Sequence, residues 1–497
     1  MVGTVHRPGL RLERDLPSDS SAVKTNESPR PYIRDVTTSS AVAPAPLPTR
    51  LRRTWARVQA HPRGLLYGFA SVHAAVFLAL TPLMIGGGVS GDLPLYRLWA
   101  TEALSEGVWP VLDFSWVYPA GAIVPVVLPN VFGEQHYQFV WLALLTALDA
   151  FALWLLTDRG RRVVDNRAAW WWLLVTLVLS PVAFLRLEGF SAPLVVAALV
   201  LLSTRPRVAG LLLATATWIK VWPAAVIAAV VVGSRHRAVV LRAGVLVTMV
   251  VVSCVLLGRG VDDITSFVSM QSGRALQLES TLATPWLWMA MLRVPGASIY
   301  QNVALATREV MGPGDTWMIN DSTQVMLAVL VLLAGVLAVA TFGLPRWGET
   351  RRRGSGRSAA TVGLAPAPAR GDEFGTVLLG ALTLTLAFVV FNKVGSPQYL
   401  LWIVPIVAVG YASRPEAFRT PAVLTAWAAG LTTLVFPILY RPLIELNPVA
   451  VIVLGARNAL LVALFGWCTV RLVRLAVETV REGAVEVRVP AVVTRAS

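Results

Sequence analysis

Long apolar runs, broken by short segments that carry arginine, fill the chain from Gly64 to Arg474. The first, 64–85, is long enough at a rise of about 1.5 Å per residue to cross a hydrocarbon core of about 30 Å. The pattern recurs at 139–157, 168–185, 191–203, 208–219, 221–233, 238–258, 325–343, 375–391, 398–411, 421–437 and 449–471, which predicts about twelve crossings. The stretch 120–132 is apolar but short and carries Pro125 and Pro129, so it either spans poorly or dips in and returns. The next connector decides between these. Arg159, Arg161, Arg162 and Arg167 belong on the cytoplasmic side, and they reach it only if 120–132 does not cross. Arg205, Arg207, Arg235, Arg237, Arg414, Arg419, Arg471, Arg474 and the arginines of 346–370 then fall on that same side, with both termini inside. The expected fold is an all-α polytopic membrane protein in which several helices are too short to span alone, so that their polar ends face a cavity rather than lipid.

The first external loop, 86–137, holds a helix-forming stretch of its own. Tyr96, Trp99, Ala100, Ala103 and Leu104 fall at helical spacing while Arg97, Thr101 and Ser105 mark a polar face, the pattern of a helix lying in the membrane interface. Asp92 stands just before it, and Asp113, Phe114, Tyr118 and Pro119 form a stiff element at its end. In the long external stretch 259–324, Trp286, Trp288 and Trp317 suggest further elements in the interface.

Composition agrees with this picture: of 497 residues, 56% are hydrophobic and only 14% charged. The formal charge of +15 does not imply nucleic acid, because the arginines sit in the connectors. Cys254 and Cys468 lie inside apolar runs and supply no disulfide framework. Residues 1–63, rich in Pro, Ser, Ala and Arg, read as a disordered cytoplasmic tail, 64–474 as one membrane domain with a cytoplasmic linker at 344–374, and 475–497 as a cytoplasmic C-terminal tail.

The polar residues at the external breaks carry the candidate chemistry. Asp92 is either a reacting carboxylate or the cap of the helix that follows. Arg186 and Glu188, in FLRLEGFSAP, are either part of a site or an ion pair across a tight turn. Lys220, in ATATWIKVWPAA, is an ammonium where two half-length helices meet, set either to snorkel to the interface or to meet a phosphate. The turn NKVGSPQY gathers Asn392, Lys393, Gln398 and Tyr399, and MQSGRALQLES adds Gln271, Arg274, Gln277 and Glu279, most of which read as a solvated face. Asp262 and Asp263 are adjacent carboxylates better suited to capping the helix at Ile264 than to holding a metal. The sequence has no His or Cys cluster with metal spacing, no phosphate-cradling glycine loop and no Ser-His-Asp arrangement, so no metal and no cofactor are expected.

Taken together, Asp92-Leu93-x-x-Tyr96 with its amphipathic helix, Gly107, Asp113-Phe114, Tyr118-Pro119, Ile219-Lys220-x-Trp-Pro223 and FNKVGSPQYLLW resemble the membrane-embedded GT-C glycosyltransferases over about 65–470. The resemblance is to the bacterial polyprenyl-phosphate-mannose-dependent alpha-mannosyltransferases, the family of the phosphatidylinositol mannoside mannosyltransferase; the last motif also resembles the mannosyltransferase of glycosylphosphatidylinositol synthesis. It implies a GT-C-type bundle in the plasma (inner) membrane with an extracytoplasmic active site. It also implies inverting transfer of a sugar, mannose or arabinofuranose, from a polyprenyl-phosphate donor to a lipid-linked or cell-envelope glycan acceptor. The family's catalytic carboxylate maps onto Asp92, with Glu188 and Asp113 as secondary candidates. Pro94 stands where a second aspartate is common, which agrees with a lipid monophosphate donor and no metal. Lys220, Lys393, Arg186 and Arg274 would meet the leaving phosphate, and Tyr96, Gln398 and Tyr399 would orient sugar or phosphate. A lipid-linked sugar flippase is the alternative, since short broken helices with buried cations suit a transporter, but the two halves of the chain show no related pattern.

The topology is open to test by cysteine labelling in intact cells. Cysteine at Asn166 is expected to be shielded from an impermeant thiol reagent and cysteine at Ser272 to be labelled; the reverse pattern would overturn the sidedness.

Overall fold

The computed structural model describes residues 61, 63–161, 166–303, 307–343 and 372–488. The expected tail at 1–63 and linker at 344–374 fall almost wholly outside them. In chain order the elements are α1 (Gly64–Ile85), α2 (Leu93–Thr101), α3 (Ile123–Val127), α4 (Tyr137–Leu156), α5 (Arg167–Val178), α6 (Ser180–Ala183), α7 (Glu188–Leu201), α8 (Pro206–Ile219), α9 (Pro223–Gly233), α10 (Arg237–Leu257) and α11 (Ser266–Ser272). There follow β1 (Leu276–Gln277), α12 (Thr284–Met291), β2 (Ser298–Asn302), β3 (Thr307–Met311), α13 (Asp315–Phe342), α14 (Glu373–Val390), α15 (Leu400–Ser413), α16 (Pro415–Thr433), α17 (Tyr440–Ile444) and α18 (Pro448–Arg488).

Among the described residues seven helices are long and apolar enough to cross a membrane, built on α1, α4, α10, α13, α14, α16 and α18. The other five expected crossings are short. The run 168–185 divides between α5 and α6, and α7, α8, α9 and α15 have 11 to 14 residues. At about 1.5 Å per residue these reach about 16–21 Å, less than the thickness of a hydrocarbon core. They lie inside the bundle: α7 packs on α4, α8 and α15, and α9 on α14. Ala197, Val404 and Val407 are fully buried, as a helix apolar on all sides requires. The break between α8 and α9 follows from its residues. Lys220 is extended (φ −152°, ψ 133°), and Pro223 restarts the helix at a position where a missing N–H costs nothing. The stretch 120–132 folds as α3 between two 3₁₀ turns and is anchored where the Tyr137 hydroxyl donates to the carbonyl of Val126 at 2.7 Å.

Several expectations are revised. The all-α architecture carries one addition, an antiparallel sheet in the order β1-β3-β2, with Leu276 opposite Val310 and Ile299 on the other side of Val310. Trp286 is not at an interface: it is buried under this sheet with Leu287, and its indole donates to the carbonyl of Pro313. In α2 the buried stripe is Leu93, Tyr96, Ala100 and Ala103, while Leu104 turns outward. A π-wound turn at Glu102–Glu106 follows α2, and Leu104 within it is exposed. The last helix, α18, runs unbroken past 474 to Arg488.

Two charge pairs lie away from the external breaks. His73 on α1 meets Asp149 on α4 at 3.3 Å, both buried, and Arg414 forks onto Asp372, which caps α14 through the amide of Gly375.

The turn 391–397 is held against the sheet, where the amide of Gln277 donates to the carbonyl of Lys393. A methyl group at Gly395 would lie 2.3 Å from the Cα of Ser280, a backbone atom that cannot yield. Gly395→Ala is therefore expected to destabilise by about 1–3 kcal/mol and lower the thermal midpoint of the solubilised protein. Gly466→Ala, where the added Cβ meets nothing, should not.

Candidate functional site

The site begins at a glycine. Gly91 has φ +67° and lies so close to Leu185 that a Cβ there would be 2.7 Å from the Leu185 Cβ, which sets Asp92 beside Arg186. Asp92 occupies the N-cap position of α2, yet its side chain makes no capping bond. Its Oδ2 instead accepts from the Tyr96 hydroxyl at 3.3 Å and pairs with Arg186 Nη1. One side of the Asp92 carboxylate stays open, its side chain 25% exposed.

Arg186 and Glu188, neighbours in sequence, do not form the ion pair across a tight turn that their spacing allowed. Arg186 turns to Asp92. Glu188, 1% exposed at the start of α7, pairs with Lys220 Nζ at 3.3 Å. Two interlocked pairs result, one from α2 to the α6–α7 turn and one from α7 to the α8–α9 break. The Lys220 ammonium also lies 4.3 Å above the ring of Tyr118, whose hydroxyl is 3.3 Å from that of Tyr96. Close packing of Gly121 on the backbone of Trp218 brings the Tyr118 loop to the end of α8. Burial pushes the Tyr118 phenol up to about 12, opposed by its hydrogen bond to Tyr96 and by the charge of Arg274.

Aromatic rings wall this cluster. Tyr96 stacks on Trp141, and Tyr399 stacks on Trp402 at 3.7 Å, which in turn lies parallel to Trp222. The last two contacts join the α8–α9 break to the 397–399 turn. Arg274 acts electrostatically on Tyr118, Lys220 and Tyr399 and so belongs to the same cluster.

Other candidates fall elsewhere. The Lys393 ammonium, 7% exposed, donates to the carbonyl of Ile319 at 3.2 Å and feels the charge of Glu309, on the side of the small sheet. Gln398 is buried with no partner for its side-chain oxygen. Asp113 closes a tight turn by accepting from the amide of Trp109 at 2.7 Å, and Asp263 is tied to Ser115. Among the described residues no three His, Cys, Asp or Glu side chains gather as a metal would need.

Glu279 does not sit on a solvated face. It is 3% exposed and lines a closed cavity of about 10 Å³, room for one water, with Thr281, Ser396, Tyr399 and Arg457. Burial pushes its carboxyl up to about 7 against the opposing charges of Arg457 and Arg186. Sequence reasoning missed Arg457, although a charge within an apolar run is itself a signal. It also gave Tyr118 no role at the site.

The model of glycosyltransferase family 87 matches residues 116–368, just over half of the chain. That span includes Tyr118, Arg186, Glu188, Lys220, Arg274 and Glu279, and leaves outside it the loop of Asp92 and the 392–399 turn. No curated protein and no solved structure matches the chain.

A test follows from Glu279. In the unfolded chain it would ionise near pH 4.5, in the folded chain near 7, so its burial costs almost nothing below pH 4 and progressively more as pH rises from there to about 7, above which the cost is level. Relative to the wild type, Glu279→Gln should therefore gain thermal stability as pH is raised from 5 to 8. A constant difference across that range would show that the carboxyl does not titrate there.

Proposed function

The chain belongs to glycosyltransferase family 87, and from that premise, which makes it a membrane glycosyltransferase, we propose that it moves mannose from a polyprenyl-phosphate donor to a lipid-linked or cell-envelope glycan acceptor, with inversion at the anomeric carbon. The observation that carries the proposal is the half-open Asp92 carboxylate, held by Tyr96 and Arg186, in a cluster that Lys220 and Arg274 join around Tyr118. The proposed setting is the plasma membrane, with residues 64–474 as the catalytic unit, both termini cytoplasmic and the site outside.

In this mechanism an Asp92 oxygen takes the proton of the acceptor hydroxyl as that oxygen attacks the anomeric carbon. The bond from that carbon to the donor phosphate oxygen breaks, and the phosphate leaves carrying its negative charge. Arg186, Lys220 and Arg274 meet that charge in a site walled by aromatic rings, where low polarity strengthens the attraction. Arg186 is the coupling element. It pairs with Asp92, and an arriving phosphate competes for the guanidinium and frees the carboxylate to act as base. Glu188 pairs with Lys220 and offsets part of the cost of burying its charge. Tyr399, on its stack with Trp402, and Gln398, with its free side-chain oxygen, suit contacts to the sugar. In this reading Lys393 enters only if its bond to Ile319 opens.

The decisive variant is Asp92→Asn. It should lower transfer from radiolabelled polyprenyl-phosphate-mannose by about 10²- to 10⁴-fold, the range for a lost general base, while donor binding and monodispersity persist. Addition of EDTA should leave the wild-type rate unchanged. Near-normal turnover by Asp92→Asn would sink the assignment and make Glu188 the next carboxylate to test. Running polyprenyl-phosphate-arabinofuranose in parallel identifies the sugar.

A further inference from the structure

At the other end of the bundle from Asp92, α5, α15 and α16 enclose an open pocket of about 360 Å³. Its walls are apolar and aromatic, with Trp171, Tyr411, Ala422, Ala426 and Trp427, and its one charged lining residue is Arg419. The walls are built by packing, since the Trp171 indole donates to the carbonyl of Ala422 at 3.0 Å and fixes α5 against α16. Trp427 is 61% exposed and Val423 50%, so the mouth of the pocket lies on the bundle's outer surface, along a helix long and apolar enough to span.

Distance separates this pocket from the reaction. Thr433, at the far end of α16, donates to the carbonyl of Val178, and the Phe436 ring just beyond it lies 5.9 Å from the Arg186 guanidinium. Arg419 is fourteen residues before Thr433 on the same helix, about 21 Å at the helical rise. Its neighbour Arg414 is held by Asp372, whereas no acidic partner of Arg419 occurs among the described residues.

We propose that this pocket binds an acidic phospholipid, its phosphate on Arg419 and its upper acyl chain along Val423, Ala426 and Trp427. The chemistry is complementary at both ends. A guanidinium at the rim of a spanning helix can fork onto phosphate oxygens, and basic pockets between transmembrane helices suit anionic head groups. A small soluble anion would leave the apolar wall uncovered, and an uncharged lipid would leave Arg419 unmatched. The inference does not depend on the sugar or donor proposed above.

Native mass spectrometry of the full-length detergent-purified protein tests it, with phosphatidylglycerol and phosphatidylcholine added in turn. One phosphatidylglycerol is expected to be retained at about tenfold lower concentration than phosphatidylcholine, because the choline of the latter sets a second positive charge beside Arg419 that phosphatidylglycerol lacks. Arg419→Ala should remove that preference, Arg419→Lys should restore part of it, and Ala426→Trp should lower retention by filling the pocket. Arg242→Ala, at an exposed cation on α10, should change nothing. Should Arg419→Ala fail to purify, the Lys and Trp variants give the answer. Equal retention of both lipids, unchanged retention in Ala426→Trp, or displacement of the phospholipid by polyprenyl phosphate would overturn the proposal.

Discussion

A charge taken out of water must find a partner or pay heavily for its absence, and the arrangement of this protein follows from that constraint. Asp92, Arg186, Glu188 and Lys220 come from three different breaks between helices, and each is matched by one of the others. Removing Lys220 would cost most, because Glu188 is almost wholly buried and would be left alone, whereas the Asp92–Arg186 pair keeps contact with solvent. The pairs therefore act as tethers. They bind the first loop to the α6–α7 turn and α7 to the α8–α9 break, and they hold the carboxylate and cations together before any substrate arrives.

The half-length helices follow from the same constraint. A helix that ends inside the bundle leaves backbone groups and polar side chains that lipid cannot satisfy, so it needs a protein-lined cavity at its end. α7, α8, α9 and α15 end in this way, and the site occupies the region where their ends meet. Aromatic stacking of Trp222, Trp402 and Tyr399 closes the wall between two of these breaks without adding charge. Small residues do the remaining work of approach: Gly91 at Leu185, Gly121 at Trp218 and Gly395 at Ser280 each permit a contact that a side chain would block. The interior pair His73–Asp149 and the rim pair Arg414–Asp372 show the same rule away from the site.

Much of this was legible in the sequence because the signals are local. Apolar run length marks the seven helices that, among the described residues, are long and apolar enough to cross a membrane, and Pro223 beside an isolated lysine marks the α8–α9 break. Asp92, Arg186, Glu188 and Lys220 stood out because charge is rare in such a chain. Pairing was not legible. Arg186 and Glu188 are two residues apart, and sequence proximity favoured a bond between them, whereas the approach of Leu185 to Gly91 gives Arg186 a different partner. Leu104 fits the apolar stripe by spacing alone, yet it is exposed because no segment packs over it. Glu279 looked solvated for a related reason: its loop is polar, and only the 395–399 turn and Arg457, more than a hundred residues away, bury it.

What the sequence by itself determined was the kind of solvent the chain folds in, the positions where its helices break and the short list of charges placed at those breaks. These depend on hydropathy and helix geometry over windows of twenty residues or fewer. What only the tertiary structure decided was which charge meets which, that five of the expected crossings are short interior helices, and that a small sheet covers Trp286. These depend on contacts between segments remote in sequence, and no local pattern records the distance at which a buried charge will find its partner.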